Sequence, residues 1–246
     1  MNIRIKAFTF IIAAAACWAS CKKNNDKPTF LPTTNVRVIN ASKDTVNFYQ
    51  NGTLINNTST YFPGGTLANL LIVKAGLQNY QVKLAKPSAP NPLFTLPLTL
   101  DSGKRYSLYI SSRSADGIFF TTDTATAPTN NTAKLRFVNA SPDAGPLTLA
   151  FVSPGASPVI TPQLSNIAYK TTTNFLNVTP STTATPGTTL GPGSLIFSVY
   201  QTGSDISTAR KDTVTISMGR IYTVVGYGTI GSGGNQAIGA SLIVNQ

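Results

Sequence analysis

The sequence predicts an all-β protein built as two β-sandwich domains, and three observations support this fold class. Thr, Val, Ile and Leu, which favour strands, are abundant, while Gly, Pro and Asn interrupt the chain as they do at turns. No stretch places apolar residues at helical spacing with a charged opposite face. Segments of the first half recur in the second half, which indicates one domain plan used twice.

The first recurring segment is a strand that runs into a turn. Residues 36–44, VRVINASKD, match residues 135–143, LRFVNASPD. Apolar and polar residues alternate at the start of each copy, which predicts a half-buried strand. Each copy ends in polar residues that favour turns: Asn40, Ser42 and Asp44 in the first, and Asn139, Ser141 and Asp143 in the second.

The second recurring segment joins a glycine turn to a strand. Residues 100–109, LDSGKRYSLY, match residues 216–225, ISMGRIYTVV. The shared Gly-x-x-Tyr pattern resembles the tyrosine corner of immunoglobulin-like sandwiches, in which the tyrosine hydroxyl bonds to backbone near the turn. Tyr106 and Tyr222 hold this position. We therefore expect two tandem immunoglobulin-like β-sandwiches.

The repeats also predict the domain boundaries. We expect the first domain at 33–122, a polar linker, DTATAPTNN, at 123–131, and the second domain at 132–246. The second pair of matching segments is further apart than the first pair, so the second domain has gained residues. The Thr/Pro-rich segment at about 179–192 cannot supply a core strand and predicts an exposed loop. This loop is either functional or a neutral insertion.

These segments together resemble a known family. The stretch KLRFVNASPDAGPLTL at 134–149, followed by a Pro/Gly turn, a strand and a Gly-x-x-Tyr strand, is similar to the DUF4397 family. The first domain adds FYQNG at 48–52 and VKAG at 73–76. The second lacks the Asn-Gly hairpin and carries the Thr-rich insertion. The resemblance implies an exported β-sandwich, often in tandem on bacterial surface proteins, and it supplies no catalytic residue.

The N-terminus predicts export. Residues 1–20 combine basic Arg4 and Lys6 with an apolar run that is about half of the roughly 20 residues needed to span a bilayer. The residues before Cys21 resemble the lipobox of Bacteroidetes-type lipoproteins, in which the cysteine thiol is lipidated and the chain is cut just before it. Trp18 departs from that pattern. The alternative is an ordinary cleaved signal followed by a chance cysteine.

Cysteine usage agrees with a lipid anchor. The chain has two cysteines, and one of them, Cys17, would leave with the signal. Acylation would cap the thiol of Cys21, which is otherwise unpaired in an oxidising compartment. We expect residues 21–32 to form a tether and the protein to be an outer-membrane lipoprotein. Lys22 and Lys23 replace the acidic export signal of some surface lipoproteins, so the periplasmic and the surface faces both stay open.

Composition argues against most catalytic chemistry. The sequence contains no His and no Glu, and all eight acidic residues are Asp. A Ser-His pair and an imidazole metal ligand are therefore excluded, and we expect no cofactor, no metal and no catalytic residue. The net charge of +11 becomes +9 after loss of Arg4 and Lys6. Because the basic residues are scattered, we interpret them as a basic exterior and expect no nucleic-acid partner.

Several side chains remain candidate sites. The repeated Asn-Ala-Ser-x-Asp turn could offer oxygen ligands to Ca²⁺, but Asn and Asp also cap turns through their own backbone, and we favour the turn interpretation. Asp-Thr-apolar tripeptides resemble the O-glycosylation sites of Bacteroidetes proteins, at Thr45, Thr124 and Thr213. Four aromatic residues near predicted turns are candidates for stacking on sugars: Tyr49, Tyr61, Phe62 and Tyr169.

The expected function is non-enzymatic. We expect a membrane-anchored binding or adhesion module that engages a glycan or a protein through loops at the sandwich edge. The alternative is a purely structural spacer in the cell envelope. A hydrolase that uses Asp, Lys or Ser is a third hypothesis, and no motif supports it.

Lipidation of Cys21 is directly testable. We expect mass spectrometry of the mature protein to find an N-terminal cysteine that carries acyl chains, because two or more chains are needed for stable anchoring. An unmodified Cys21, or cleavage at another position, would show that the lipoprotein interpretation is wrong.

Overall fold

The structure of the protein is a computed structural model. It describes residues 31–56, 59–66, 70–86, 91–129, 131–152, 159–180 and 192–245. The chain divides into two compact units, residues 1–31 and 32–246, and the fold below is that of the second unit. The predicted signal peptide, Cys21 and nearly all of the tether lie outside the described residues, as does most of the segment 179–192.

The all-β prediction is confirmed, since the described residues form seventeen strands and only four short helices. The helices of the described residues are single 3-10 turns: Ala115–Gly117, Pro162–Leu164, Ile206–Thr208 and Gly234–Gln236. None of these helices is long and apolar enough to cross a membrane. The fold is therefore built by strand pairing.

The first half contains nine strands among its described residues: β1 (Thr33–Asn40), β2 (Val46–Gln50), β3 (Thr53–Leu54), β4 (Gly65–Thr66), β5 (Leu71–Lys74), β6 (Gly76–Leu84), β7 (Phe94–Leu100), β8 (Arg105–Ile110) and β9 (Ile118–Thr122). Sheet I has the order β4-β1-β8-β9, with β5 also paired to β1. Sheet II has the order β3-β2-β6-β7. All pairs are antiparallel except β1 with β8, which is parallel.

The second half contains eight strands in the part of the chain that the structure describes: β10 (Ala133–Asn139), β11 (Leu147–Val152), β12 (Val159–Ile160), β13 (Leu176–Val178), β14 (Ser194–Gln201), β15 (Arg210–Thr215), β16 (Ile221–Tyr227) and β17 (Gly239–Val244). Sheet III has the order β13-β10-β16-β17, and sheet IV the order β12-β11-β14-β15. The parallel pair recurs as β10 with β16.

The two halves share their register as well as their strand order. Val36 of β1 lies opposite Tyr106 of β8, and Leu135 of β10 lies opposite Tyr222 of β16. The two recurring sequence segments therefore become neighbouring strands in each half. Both halves lie within one compact unit, so the domain boundary at 123–131 stays a prediction.

Each half has its own core between its two sheets. The first core contains Phe48 and Tyr80, whose rings stack with centroids 5.3 Å apart. The second core contains Phe137, Leu149 and Phe197. These side chains are fully buried, and each such burial contributes about 1.5–3 kcal/mol.

A third apolar cluster joins the halves, because the outer faces of sheets I and III pack together. Its members come from both sheets: Ile39, Ala41 and Tyr109 from the first half, and Val138, Ala140, Val225, Tyr227 and Ile243 from the second. The central strands β1 and β10 are consequently buried on both faces. The prediction of half-buried strands was wrong because the polar members of the alternation, Arg37 and Arg136, are themselves buried.

An ion pair lies within this interface. Arg136, which is 3% exposed, pairs with Asp123 and also donates from Nε to the Thr223 hydroxyl at 2.9 Å. The other oxygen of Asp123 accepts a hydrogen bond from Ser107 at 2.8 Å. Asp123, the first residue of the predicted linker, therefore binds both halves together. Such a pair is stable only when both groups are hydrogen-bonded, as they are here.

Close packing between the halves is most evident at Gly64. A Cβ atom on this residue would lie 2.3 Å from the Tyr227 ring, and its φ is +71°. Gly52 has a similar φ of +81°, but no atom lies within 4 Å of its Cβ position. The two glycines therefore separate the effect of backbone conformation from that of interface packing.

Replacement of these glycines tests the interface. We expect Gly52→Ala to lose about 1–2 kcal/mol because of its left-handed backbone, and Gly64→Ala to lose a further 1–3 kcal/mol or so from overpacking against Tyr227. Urea unfolding of the two variants beside the parent chain measures both values. Equal losses would show that the halves are not packed closely at Tyr227.

Candidate functional site: a cleft between the two halves

The first repeated turn is held by a buried asparagine. The Asn40 amide group donates to the backbone oxygens of Asp44, at 2.6 Å, and Tyr61, at 2.8 Å. Its carbonyl oxygen accepts from the Ser42 amide, at 3.0 Å, and from the Ser42 hydroxyl, at 2.7 Å. All the capacity of this side chain is used inside the protein.

The second repeated turn uses the same device. The Asn139 amide group donates to the backbone oxygens of Gly145 and Ile167, both at 2.9 Å, and its carbonyl oxygen accepts from the Ser141 amide. The Ser141 hydroxyl instead donates to the backbone oxygen of Gly228, at 2.7 Å. The two asparagines therefore shape the turns, and their oxygens face protein donors.

The acidic residues of the two turns have different partners. Asp44 forms a bidentate ion pair with Arg113, in which both N···O distances are 2.7 Å. The Asp143 carboxylate accepts from the Ile230 amide at 3.3 Å. The described residues contain no cluster of three or more acidic or thiol side chains that could hold a metal ion.

The Arg113 pair controls the charge of Asp44. Its hydrogen bonds hold the pKa of the Asp44 carboxyl below its usual value, and partial burial opposes them only in part. The Arg113 side chain is itself exposed. Asp44 is therefore ionised and already paired at neutral pH, which makes it a poor general acid or base.

The two turns border a cleft of about 280 Å³ where the halves meet. The first half contributes residues 42–44 and 111–113, and the second contributes Pro142 and Thr229. Seven of the eight lining residues have polar side chains, including the Asp44–Arg113 ion pair and the exposed Lys43, while most of the surface that they present to the cleft is apolar. The cleft can hold a polar ligand of a few rings or a short peptide segment.

Contacts around the cleft fix the relative position of its walls. The Ser111 and Tyr169 hydroxyls lie 2.6 Å apart, Lys170 donates to the backbone oxygen of Asp116, and Gln236 donates to that of Lys43 at 3.3 Å. Each contact links one half to the other. These hydrogen bonds therefore fix the shape of the cleft.

The loop 228–238 closes one side of the cleft. It is rich in glycine, and a Cβ atom on Gly228, whose φ is +96°, would lie 2.2 Å from the Ala237 oxygen. A second cavity, of about 310 Å³, lies on the other side of this loop and is lined in part by Gln201, Arg210 and Ile230. Thr229 lines both cavities.

The structure brings together only part of the predicted site residues. Ser42, Asp44 and the segment around Ser141 lie at the cleft, whereas Asn40 and Asn139 are buried behind it. No sequence pattern pointed to Arg113 or Thr229, because they reach the cleft only through the parallel pairing of strands far apart in the chain.

The tyrosines of the Gly-x-x-Tyr pattern lie away from the cleft. The Tyr106 hydroxyl accepts from the Asp101 amide at 3.1 Å, and the Tyr222 hydroxyl accepts from the Ser217 amide at 2.8 Å. Gly103 has a positive φ with no neighbour near its Cβ position, so the turn conformation explains this glycine.

The remaining candidates are scattered. Thr124 and Thr213 are exposed and Thr45 is half-buried, which leaves O-glycosylation a prediction for all three. Tyr61 is buried in the first core, which removes it from the four aromatic candidates for stacking on sugars. Phe62 is 64% exposed, and the half-buried Tyr49 lies beneath Lys83, with the ammonium 4.7 Å from its ring centre.

A family model matches part of the chain. Residues 34–150 match a family described as "Domain of unknown function (DUF4397)". The predicted resemblance is confirmed for these residues, which run from β1 in the first half to β11 in the second. No curated protein matches the sequence.

Two solved structures show distant similarity. One is CBMbc, of family CBM26, from Eubacterium rectale Amy13K in complex with maltoheptaose, with 9% identity, a TM-score of 0.22, and coverage of 87% of this chain and 97% of that one. The other is a candidate cell adhesion protein from Bacteroides eggerthii, with 11% identity, a TM-score of 0.24, and coverage of 88% and 96%. Neither likeness identifies a ligand for this chain.

The Asp44–Arg113 pair predicts a pH dependence of stability. Because the folded state lowers the pKa of Asp44, the pair stabilises the protein above the pKa of an unfolded Asp, about 3.9, and this stabilisation is lost as pH falls through the folded pKa. We therefore expect the parent chain to be more stable than Arg113→Gln near neutral pH and the difference to vanish in strong acid.

Urea unfolding of both proteins, from about pH 7 to about pH 2, measures this difference. Arg113→Lys keeps the charge but loses the two-pronged geometry, so it should fall between them. A difference that is the same at every pH would show that Arg113 acts by packing and not through the charge of Asp44.

Proposed function

We propose that this protein is a non-enzymatic, membrane-anchored module of the cell envelope that binds a glycan or a protein in the cleft between its two halves. One observation carries the proposal: segments of both halves, among them residues 42–44 of the first repeated turn and Pro142 of the second, line one cleft in which seven of the eight lining residues have polar side chains. A site made from two halves is absent from either half alone. The proposed ligand therefore gives a reason for the fixed packing of the halves.

The support of the cleft fits a binding role. Loops carry the lining residues, and buried hydrogen bonds from Asn40 and Asn139 fix those loops from behind. A binding site gains affinity when its groups are already in place, because less conformational entropy is lost on binding. The exposed Lys43 ammonium offers donors to the oxygens of a sugar or of a peptide backbone, and the lining serines, whose protons go to protein oxygens, offer hydroxyl lone pairs to ligand donors.

The same contacts argue against catalysis at this site. The Ser42 and Ser111 hydroxyls donate to protein oxygens, at 2.7 Å each, and the carboxylate of Asp44 is engaged by Arg113. A hydrolase would need an activated nucleophile with an adjacent base. This supports the proposal that the protein is not an enzyme.

The proposed location follows from the N-terminal sequence. Export, lipidation of Cys21 and attachment to the outer membrane rest on the signal and lipobox patterns. The alternative function, a structural spacer, is favoured by the interface, because two halves locked by a buried apolar cluster form a stiff unit.

Binding assays on cleft variants separate these functions. We expect the full chain, purified in detergent, to bind glycans on an array or proteins in a pull-down. Lys43→Glu should weaken that binding tenfold or more, since loss of a charged contact costs about 1.5–3 kcal/mol. Lys211→Glu makes the same charge change at an exposed position of β15 that does not line the cleft, and it should leave binding unchanged.

Three outcomes would contradict the proposal. Absence of binding in both assays would favour the spacer. Equal weakening by the two variants would show that net charge, and not the cleft, attracts the ligand. Hydrolysis of a bound glycan or peptide that is lost in Asp44→Asn would show that the protein is an enzyme.

A further inference from the structure

The interface between the halves contains more positive than negative charge. Arg37 and Arg136 are 9% and 3% exposed, and the half-buried Asp123 lies beside them. Arg37 shares the outer face of β1 with Ile39, a member of the interface cluster, because alternate residues of a strand face the same side. Of these two arginines, only Arg136 forms an ion pair with a carboxylate among the described residues.

Arg37 therefore lacks direct compensation. Its Nε is shielded from solvent and has no hydrogen-bond partner among the described residues. Burial lowers the pKa of Arg37, the charge of Asp123 acts in the opposite direction, and the charge of Arg105 adds to the lowering. A buried guanidinium nitrogen without a partner is costly, so such groups normally meet an anion, another acceptor or a water molecule.

A small cavity lies in the same region. Its volume is about 20 Å³, and its lining residues are Arg105, Asp123, Ala125, Phe175, Ile221 and Asn245. The carbonyl oxygen of Asn245 accepts from the Thr223 hydroxyl at 2.7 Å, whereas its Nδ2 is buried and has no partner among the described residues. The space is enough for one water molecule or one ion of similar size.

The lining favours an anion over a cation. Arg105 and Asn245 supply donors, and both carboxylate oxygens of Asp123 already accept hydrogen bonds, from Ser107 and Arg136. Arg105 lines the cavity together with Asp123, Arg136 is paired with that carboxylate from outside the lining, and Arg37 interacts with it electrostatically. Arg105 is exposed to solvent, so an ion can reach the cavity from solution beside this residue.

We propose that this cavity binds a small monovalent anion of the size of chloride, which balances the charge of the buried arginines and stabilises the packing of the two halves. The anion accepts hydrogen bonds from the Asn245 amide and the Arg105 guanidinium. The negative charge of the anion also offsets the positive charge of Arg37, because electrostatic interactions are strong in an interface that is shielded from water.

Thermal unfolding at constant ionic strength tests the site. Sodium gluconate is replaced stepwise by sodium chloride, and the Tm of the full chain is followed. We expect the Tm to rise with the logarithm of the chloride concentration above the dissociation constant, and to have risen by roughly 3–6 °C at a concentration about ten times that constant. Arg105→Gln should abolish the rise, whereas Lys104→Gln, which removes the same charge from the adjacent exposed residue, should retain it.

Each other result overturns the proposal. A Tm that does not change with chloride means that the cavity holds water. A response lost equally in both variants means that chloride acts on general surface charge. Crystals grown in bromide provide a second measurement that is independent of folding stability. An anomalous peak between Arg105 and Asn245 supports the site, and an empty or water-filled cavity contradicts it.

Discussion

The contact between the outer faces of sheets I and III is the feature on which the rest of this structure depends. Its apolar cluster excludes water, and at its polar centre Arg136 and Asp123 pair with hydrogen bonds on both sides. Loss of either partner would leave a buried charge without compensation, at a cost of about 3–5 kcal/mol. The relative position of the two halves is therefore set by chemistry specific to this interface.

The cleft is a consequence of that packing. In each half the strand that carries the repeated turn is a central strand of the sheet that faces the other half. Packing of sheet I on sheet III therefore brings the two turns to the rim of one cleft. The turn asparagines are buried and hold the turns through hydrogen bonds to the backbone. The side chains that line the cleft belong to other residues, such as Lys43 and Arg113. The two similar turns thus have different surroundings, as the contrasting partners of Asp44 and Asp143 show.

Local patterns predicted local structure well. The Gly-x-x-Tyr segments and the Asn-Ala-Ser turns form hydrogen bonds within a few residues of themselves, so their geometry is encoded where they stand. The Asn-Gly pair at 51–52 likewise takes positive φ angles in a tight hairpin. Burial was predicted less well where it depends on contacts with residues far away in the sequence. Tyr61 was expected near a turn, but its backbone pairs with that of Val46, and its side chain is buried in the first core.

The amino-acid sequence alone established that the chain is all-β, that one strand-and-turn plan is used twice, and that imidazole chemistry is absent. These properties follow from composition, short-range propensity and repetition. The burial of Arg37 and Arg136, the role of Asp123 and the site between the halves became visible only in three dimensions. An arginine in a strand of alternating polarity is predicted to be exposed to solvent, whether its face of the sheet contacts water or a second sheet. Only the tertiary structure shows whether a second sheet packs on that face.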